Sequence, residues 1–192
     1  MRKVAFALIC GGALLAGCAP TPPPPPPPPP VPVDLNDPLM APGFLAQAAA
    51  GSEFEIESSQ LALQMSSNPA VRNFAGLMIS DHARLGQALA AAAVSAGLSP
   101  PSPALLPQQQ AMLDQLRTTG PNFDAAYRGV QISGHQGALQ LFQNYAASGD
   151  VPSIRAAAGQ AIQTIQMHLS QAQMLSVASP PPPPLPPSGE RG

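Results

Sequence analysis

Proline decides where this chain can fold. It has 27 prolines in 192 residues, and most lie in two tracts, Pro20 to Pro32 near the start and Pro180 to Pro187 near the end. Proline fixes φ and has no amide proton, so neither tract can join a helix or a sheet. The first should be an extended polyproline spacer rising about 3.1 Å per residue, roughly 40 Å in all. The second should be a proline-rich tail over 179–192. What can fold lies between them, over 38–178, one domain long enough to bury a core.

Ahead of the first tract stands an address. Arg2 and Lys3 form a basic start, Val4 to Ala16 is apolar, and Leu15-Ala16-Gly17-Cys18 reads as a lipobox. The apolar run is shorter than the about 20 residues a membrane-spanning helix needs, but it suits a signal peptide over 1–17. The peptide would be cut before Cys18, its thiol would carry a diacylglycerol and the freed amine a further acyl chain such as palmitate, enough for stable anchoring. Ala19 is not an inner-membrane retention residue. The expected location is therefore the outer membrane, with residues 18–37 as lipidated cysteine and linker and the domain facing the periplasm. The proline segments offer a second kind of contact, with a protein or envelope partner.

Processing narrows the chemistry. Cys10 and Lys3 leave with the signal, so the mature chain has no lysine, and lipidation takes its last thiol. Removing Arg2 and Lys3 from eight basic residues leaves six against ten acids, a formal charge of −4. That balance argues against nucleic-acid binding. Cysteine nucleophiles, Schiff-base lysines and phosphate-loop lysines are excluded, and no serine-triad, nucleotide-loop or zinc-protease motif is present.

Between the prolines the pattern is all-α. A first long helix is expected over about 42–67. Asn68-Pro69 caps and opens a second, running to about Gly97. After Pro100, Pro101 and Pro103 a short helix spans about 107–118. Pro121 opens a third long helix closed by Gly149, and Asp150 to Ser153 with Pro152 starts a fourth, ending near Ser179. Two very short links and one long one specify a ferritin-like four-helix bundle whose long crossover carries the short extra helix.

The apolar seams carry the only constellation with chemical promise. On the fourth helix Ile154, Ala158, Ala161, Ile165, His168, Ala172 and Leu175 follow alternating 4/3 spacing. On the second, Val71, Met78, Leu85 and Ala92 centre a stripe widened by Phe74 and Leu89, with Asp81 and His82 on its edges. On the third, Ile132, His135, Leu139 and Phe142 share a face. The first helix supplies carboxylates: Glu55 aligns with Ala48, Ser52, Ser59 and Ala62, Glu57 with Phe54 and Leu61.

The chain's 3 histidines thus lie on three different helices, each near mid-helix, where positions come level in a bundle. His82, His135, His168 and one of Glu55, Glu57 or Asp81 would hold a single transition-metal or zinc ion. The alternative is a hydrogen-bonded histidine–carboxylate network without metal. Gly129, Gly134 and Gly137 each cost about 1 kcal/mol of helix stability and imply close helix approach or space beside His135. Met65, Met78, Met167 and Met174 are expected as core fillers, and Tyr127 and Tyr145 as half-buried.

Glu55-Ile56-Glu57 with Leu61-Ala62, Asn68-Pro69-Ala70-Val71, Phe74-Ala75, Met78-Ile79 and Asp81-His82 resemble the first half of a bacterial family named only as domain of unknown function 4142. Asn122-Phe123-Asp124, Tyr127, His135, Leu141-Phe142 and His168-Leu169 with Ala172 resemble its second half. The resemblance covers about 40–176 and implies an exported or lipid-anchored envelope protein of ferritin-like fold. It implies no activity. Di-iron members of that fold use Glu-x-x-His motifs, whereas here Ile79, Ile132 and Ile165 stand three residues before the histidines. A standard di-iron centre is therefore not expected. Two functions follow: an outer-membrane-anchored binding or structural module, or a metal-binding or redox protein with a mononuclear His/Glu site. Enzymatic activity and oligomeric state are left open.

Overall fold

The structure is a computed structural model and describes residues 36–177. The lipobox with Cys18, the signal peptide, the proline linker to residue 35 and the proline tail lie outside the described residues. Those described form a helical bundle without strands: α1 Ala41–Met65, α2 Pro69–Ser95, α3 Pro107–Arg117, α4 Phe123–Ser148 and α5 Pro152–Met174. None of these helices is long and apolar enough to cross a membrane.

Proline and short polar side chains set the boundaries. Proline occupies the first or second position of α1, α2, α3 and α5, where the missing amide has no intrahelical partner to lose. Asn68 caps α2 by accepting from the Ala70 amide at 2.9 Å. Two expected limits shift. Pro121 opens a 3-10 turn over Gly120–Asn122, closed by the Asn122 amide on the Thr119 carbonyl, and α4 proper starts at Phe123. α5 stops at Met174, because Leu175 turns extended to bury its side chain and Asn68 Nδ2 donates to the Ser176 carbonyl at 2.8 Å.

Packing partners give the topology. α1 packs on α2 and α4, and α5 on α4 and α2, which closes a ring of four. At one end Ala41 and Phe44 of α1 meet Leu89 of α2, Phe142 and Tyr145 of α4 and Ile154 of α5. At the other end Leu61 meets Val71, Phe74, Phe123, Tyr127 and Ala172. So α1 and α5 run one way while α2 and α4 run the other. Two parallel consecutive long helices require a connection that travels the length of the bundle. That connection carries α3, which lies against α1 and α4 and buries Leu113 and Leu116.

The link between α4 and α5 locks the first end. Asp150 Oδ1 accepts from the Ala41 amide at 2.8 Å and from the Tyr145 hydroxyl at 2.9 Å. Asp150 therefore caps α1, with a negative charge at that helix's positive end, and does not cap α5. The Tyr145 ring stacks on Phe44 with centroids 4.1 Å apart. It also fills the place of any side chain at Gly149, whose Cβ would come within 2.6 Å of it. Tyr127 and Tyr145 are fully buried rather than half-buried, each with its hydroxyl partnered. Of the methionines expected in the core only Met78 is buried; Met65, Met167 and Met174 are exposed, on faces that the ring of four turns outward.

Asp150→Ala removes a cap and strands a buried hydroxyl, so a loss of about 2–3 kcal/mol is expected. The exposed Asp114–Arg117 pair is the control: Asp114→Ala should change stability by no more than about 0.5 kcal/mol. Urea unfolding of both variants checks the contrast.

Candidate metal centre

The two apolar clusters are separated by a polar layer to which all four long helices contribute. Ser52, Glu55, Ser58 and Ser59 come from α1, His82 from α2, Gln131 and His135 from α4 and His168 from α5, and all are buried. Helical spacing puts them there. Glu55 lies on the stripe of Ala48, Ser52, Ser59 and Ala62, every one buried, and every residue of the α5 stripe is buried as well. His82 is not at an edge. The buried stripe of α2 runs Val71, Ala75, Met78, His82, Leu89, Ala93, so it drifts off the strict heptad that pointed to Ala92 and passes through His82.

The three imidazoles form a triangle, with ring centroids 5.4 to 5.6 Å apart. Their ligand-capable atoms all lie within 4.8 Å of one another. Each ring is held from behind. His135 Nδ1 donates to the Gln131 carbonyl one turn back at 2.8 Å. His168 Nε2 donates to Asp81 Oδ2 at 2.9 Å, and Asp81 Oδ1 accepts from Arg84 at 2.6 Å. His82 Nδ1 lies 3.5 Å from Ser52 Oγ. The remaining ring nitrogens, His82 Nε2, His135 Nε2 and His168 Nδ1, are buried without a hydrogen-bond partner in the protein.

The outer bonds of His135 and His168, to a carbonyl and a carboxylate that can only accept, fix the tautomers of those two rings. With Nδ1–H of His135 and Nε2–H of His168 committed, the opposite nitrogen of each ring carries a lone pair and no proton. Two such lone pairs cannot hydrogen-bond to each other. Each buried, unpaired acceptor costs about 1–3 kcal/mol.

The carboxylates divide differently. Asp81 stands behind His168. Glu55 stands behind His135, with Oε1 3.8 Å from Nδ1 and Oε2 unpartnered. It fits because residue 134 is glycine: a Cβ there would fall 2.7 Å from Glu55 Oε1. Glu57 is only half-buried and stands apart, since residues two apart on a helix do not share a face. The structure thus brings His82, His135 and His168 together, puts Glu55 and Asp81 in the layer around them and leaves Glu57 out. Gln131 and Ser58 belong to the layer too, with Arg84 exposed behind Asp81, and none of the three had a distinguishing signal in the sequence. The Gln131 amide donates to Ser58 Oγ at 3.1 Å.

Burial dominates the electrostatics. It pushes His82 down to about 3, helped by the neighbouring imidazoles, and His135 down to about 4 against the pull of the Gln131 carbonyl. Burial also lowers His168, opposed by Asp81. Burial raises Glu55 to about 8, with the Gln131 amide acting the other way. At neutral pH the His135–Glu55 approach is accordingly a contact of neutral groups, not an ion pair. Three neutral imidazoles brought this close are a donor set suited to a zinc or first-row transition ion.

Fold and site together define a helical-bundle protein with a buried tri-histidine layer. The family model described as "Domain of unknown function (DUF4142)" matches residues 30–175, and the chain belongs to that family. No curated protein matches it. Among solved structures, "CopM in the Cu(II)-bound form" superposes with a TM-score of 0.59 at 19% identity, covering 70% of this chain and 94% of its own. At that identity the likeness is one of fold.

The titrations predict a stability maximum for the metal-free protein. The imidazoles have folded values below the ordinary 6.5, so their contribution is present above about pH 6.5 and is lost as pH falls toward about 4. Glu55 is raised from 4.5 to about 8, so its contribution is present below about pH 4.5 and is lost as pH rises toward 8. Three imidazoles outweigh one carboxyl on the acid side. Urea unfolding in chelator should therefore give a maximum near pH 6.5, steep below and shallow above, and Glu55→Gln should flatten the alkaline limb.

Proposed function

We propose that this protein binds one divalent first-row transition-metal ion through His82 Nε2, His135 Nε2 and His168 Nδ1. The observation that carries the reading is three buried ring nitrogens with no hydrogen-bond partner, on histidines whose ligand-capable atoms lie within 4.8 Å of one another. A Lewis acid satisfies all of them at once. A purely hydrogen-bonded network leaves them unpaired.

The outer bonds support the same reading. Metal-bound histidines ordinarily donate their other N–H to a carboxylate or a backbone carbonyl, as His168 does to Asp81 and His135 to Gln131. In this reading Asp81 and Glu55 orient ligands and are not ligands themselves, and Glu57 takes no part. Three neutral nitrogens suit copper and zinc, and divalent affinities peak at copper. The fold neighbour's Cu(II)-bound form favours the same ion. A bound ion would supply Lewis acidity and, with copper, access to a second oxidation state. The lipobox ending at Cys18 supports display from the outer membrane into the periplasm, on a proline spacer that holds the bundle off the lipid.

The purified protein should bind one equivalent of Cu2+, and less tightly of Zn2+, by equilibrium dialysis and metal analysis. Free ion at 100 times its Kd should stabilise the fold by about 2.7 kcal/mol. His135→Ala/His168→Ala should abolish both effects. Asp81→Asn should keep the stoichiometry but weaken affinity by about 10- to 100-fold. A folded protein with no stoichiometric metal overturns the proposal.

A further inference from the structure

Two pockets border the histidine layer, one between α2 and α5 and one between α1 and α4, and they differ in chemistry. The groove between α2 and α5 is lined by Ala88, Ala92, Ala156, Ala157 and Ala161 among larger side chains, and beside it Asp81 ties His168 to Arg84. The other pocket is a chamber of about 310 Å³ between α1 and α4, at the small end of the roughly 300–1,000 Å³ typical of ligand pockets. Glu55, His82 and His135 line it on the side of the layer, each buried and each with an unpartnered polar atom. Its outer wall has glycine on both helices, Gly51 on α1 and Gly137 on α4, and a Cβ at either would meet nothing within 4 Å. Close helix packing therefore does not account for Gly137, and each mid-helix glycine costs about 1 kcal/mol of helix stability. Leu106, Gln109 and Met112 of the crossover roof the chamber.

We infer that this chamber admits a small inorganic anion to the open side of the tri-histidine site, entering between Gly51 and Gly137 beneath the crossover. The inference rests on the metal reading above and deepens it. Three protein ligands leave a divalent ion a free position, as in metal sites that accept an exogenous ligand. Neutral imidazoles bring no negative charge of their own to the ion. The chamber lining holds no lysine or arginine and no carboxyl besides Glu55. Ser52, Gln108 and Gln109 line it too, and their hydroxyl and amides can donate to an anion.

Azide is the probe, read by its charge-transfer absorption on the Cu2+-loaded protein. Saturable binding to the unaltered protein is expected. Gly51→Leu and Gly137→Leu, singly and together, should weaken azide at least tenfold while keeping one equivalent of Cu2+ and an unchanged circular dichroism spectrum. Ala157→Leu, in the α2–α5 groove, should leave azide affinity within twofold. If the protein takes up no Cu2+, the metal reading falls and this inference with it. If copper binds but azide does not, or azide is indifferent to the glycine plugs, or Ala157→Leu weakens it equally, the chamber's role is overturned while the metal site stands.

Discussion

Three buried imidazoles brought within 4.8 Å of one another inside a helical bundle are the constraint on which the rest of the structure turns. An apolar bundle of this length could have run leucine and alanine through its middle. Instead His82, His135 and His168 interrupt the core at one level, with apolar clusters sealed above and below. Burial keeps the rings neutral, and neutrality makes them ligands. The outer hydrogen bonds to Gln131 and Asp81 then leave the opposite ring nitrogens as the free ones.

The fold serves that layer by rigid placement. Each ligand sits mid-helix on a different helix, so its position depends on helix register and not on a loop. Register is held at one end by Asp150, which joins the start of α1 to Tyr145 of α4. At the other end Tyr127 meets Ser59 at 2.8 Å and Asn68 ties α2 to the chain after α5. The crossover lets α2 and α4 run parallel and roofs one of the two pockets beside the layer.

Much of this was legible in the sequence, for physical reasons. The α5 stripe read cleanly because alternating 4/3 spacing leaves one apolar face, and every residue on it is buried. Proline in the first turn fixed most helix starts, failing only where Pro121 opened a 3-10 turn instead of α4. His82 was misplaced because a strict heptad drifts from a straight helix over several turns. The choice between Glu55 and Glu57 was hidden because both lie on plausible stripes; helix packing buries the whole Glu55 stripe and leaves Glu57 half-buried. The unpaired nitrogens could not be read at all. They depend on which neighbour each ring finds, and those neighbours come from tertiary packing.

The most direct test is a crystal structure of the Cu2+-loaded protein with anomalous scattering measured at the copper edge. The account predicts one peak enclosed by His82 Nε2, His135 Nε2 and His168 Nδ1, with Asp81 and Glu55 outside the coordination sphere. Copper bound elsewhere, or a tri-histidine layer without a peak in the loaded crystal, would contradict it.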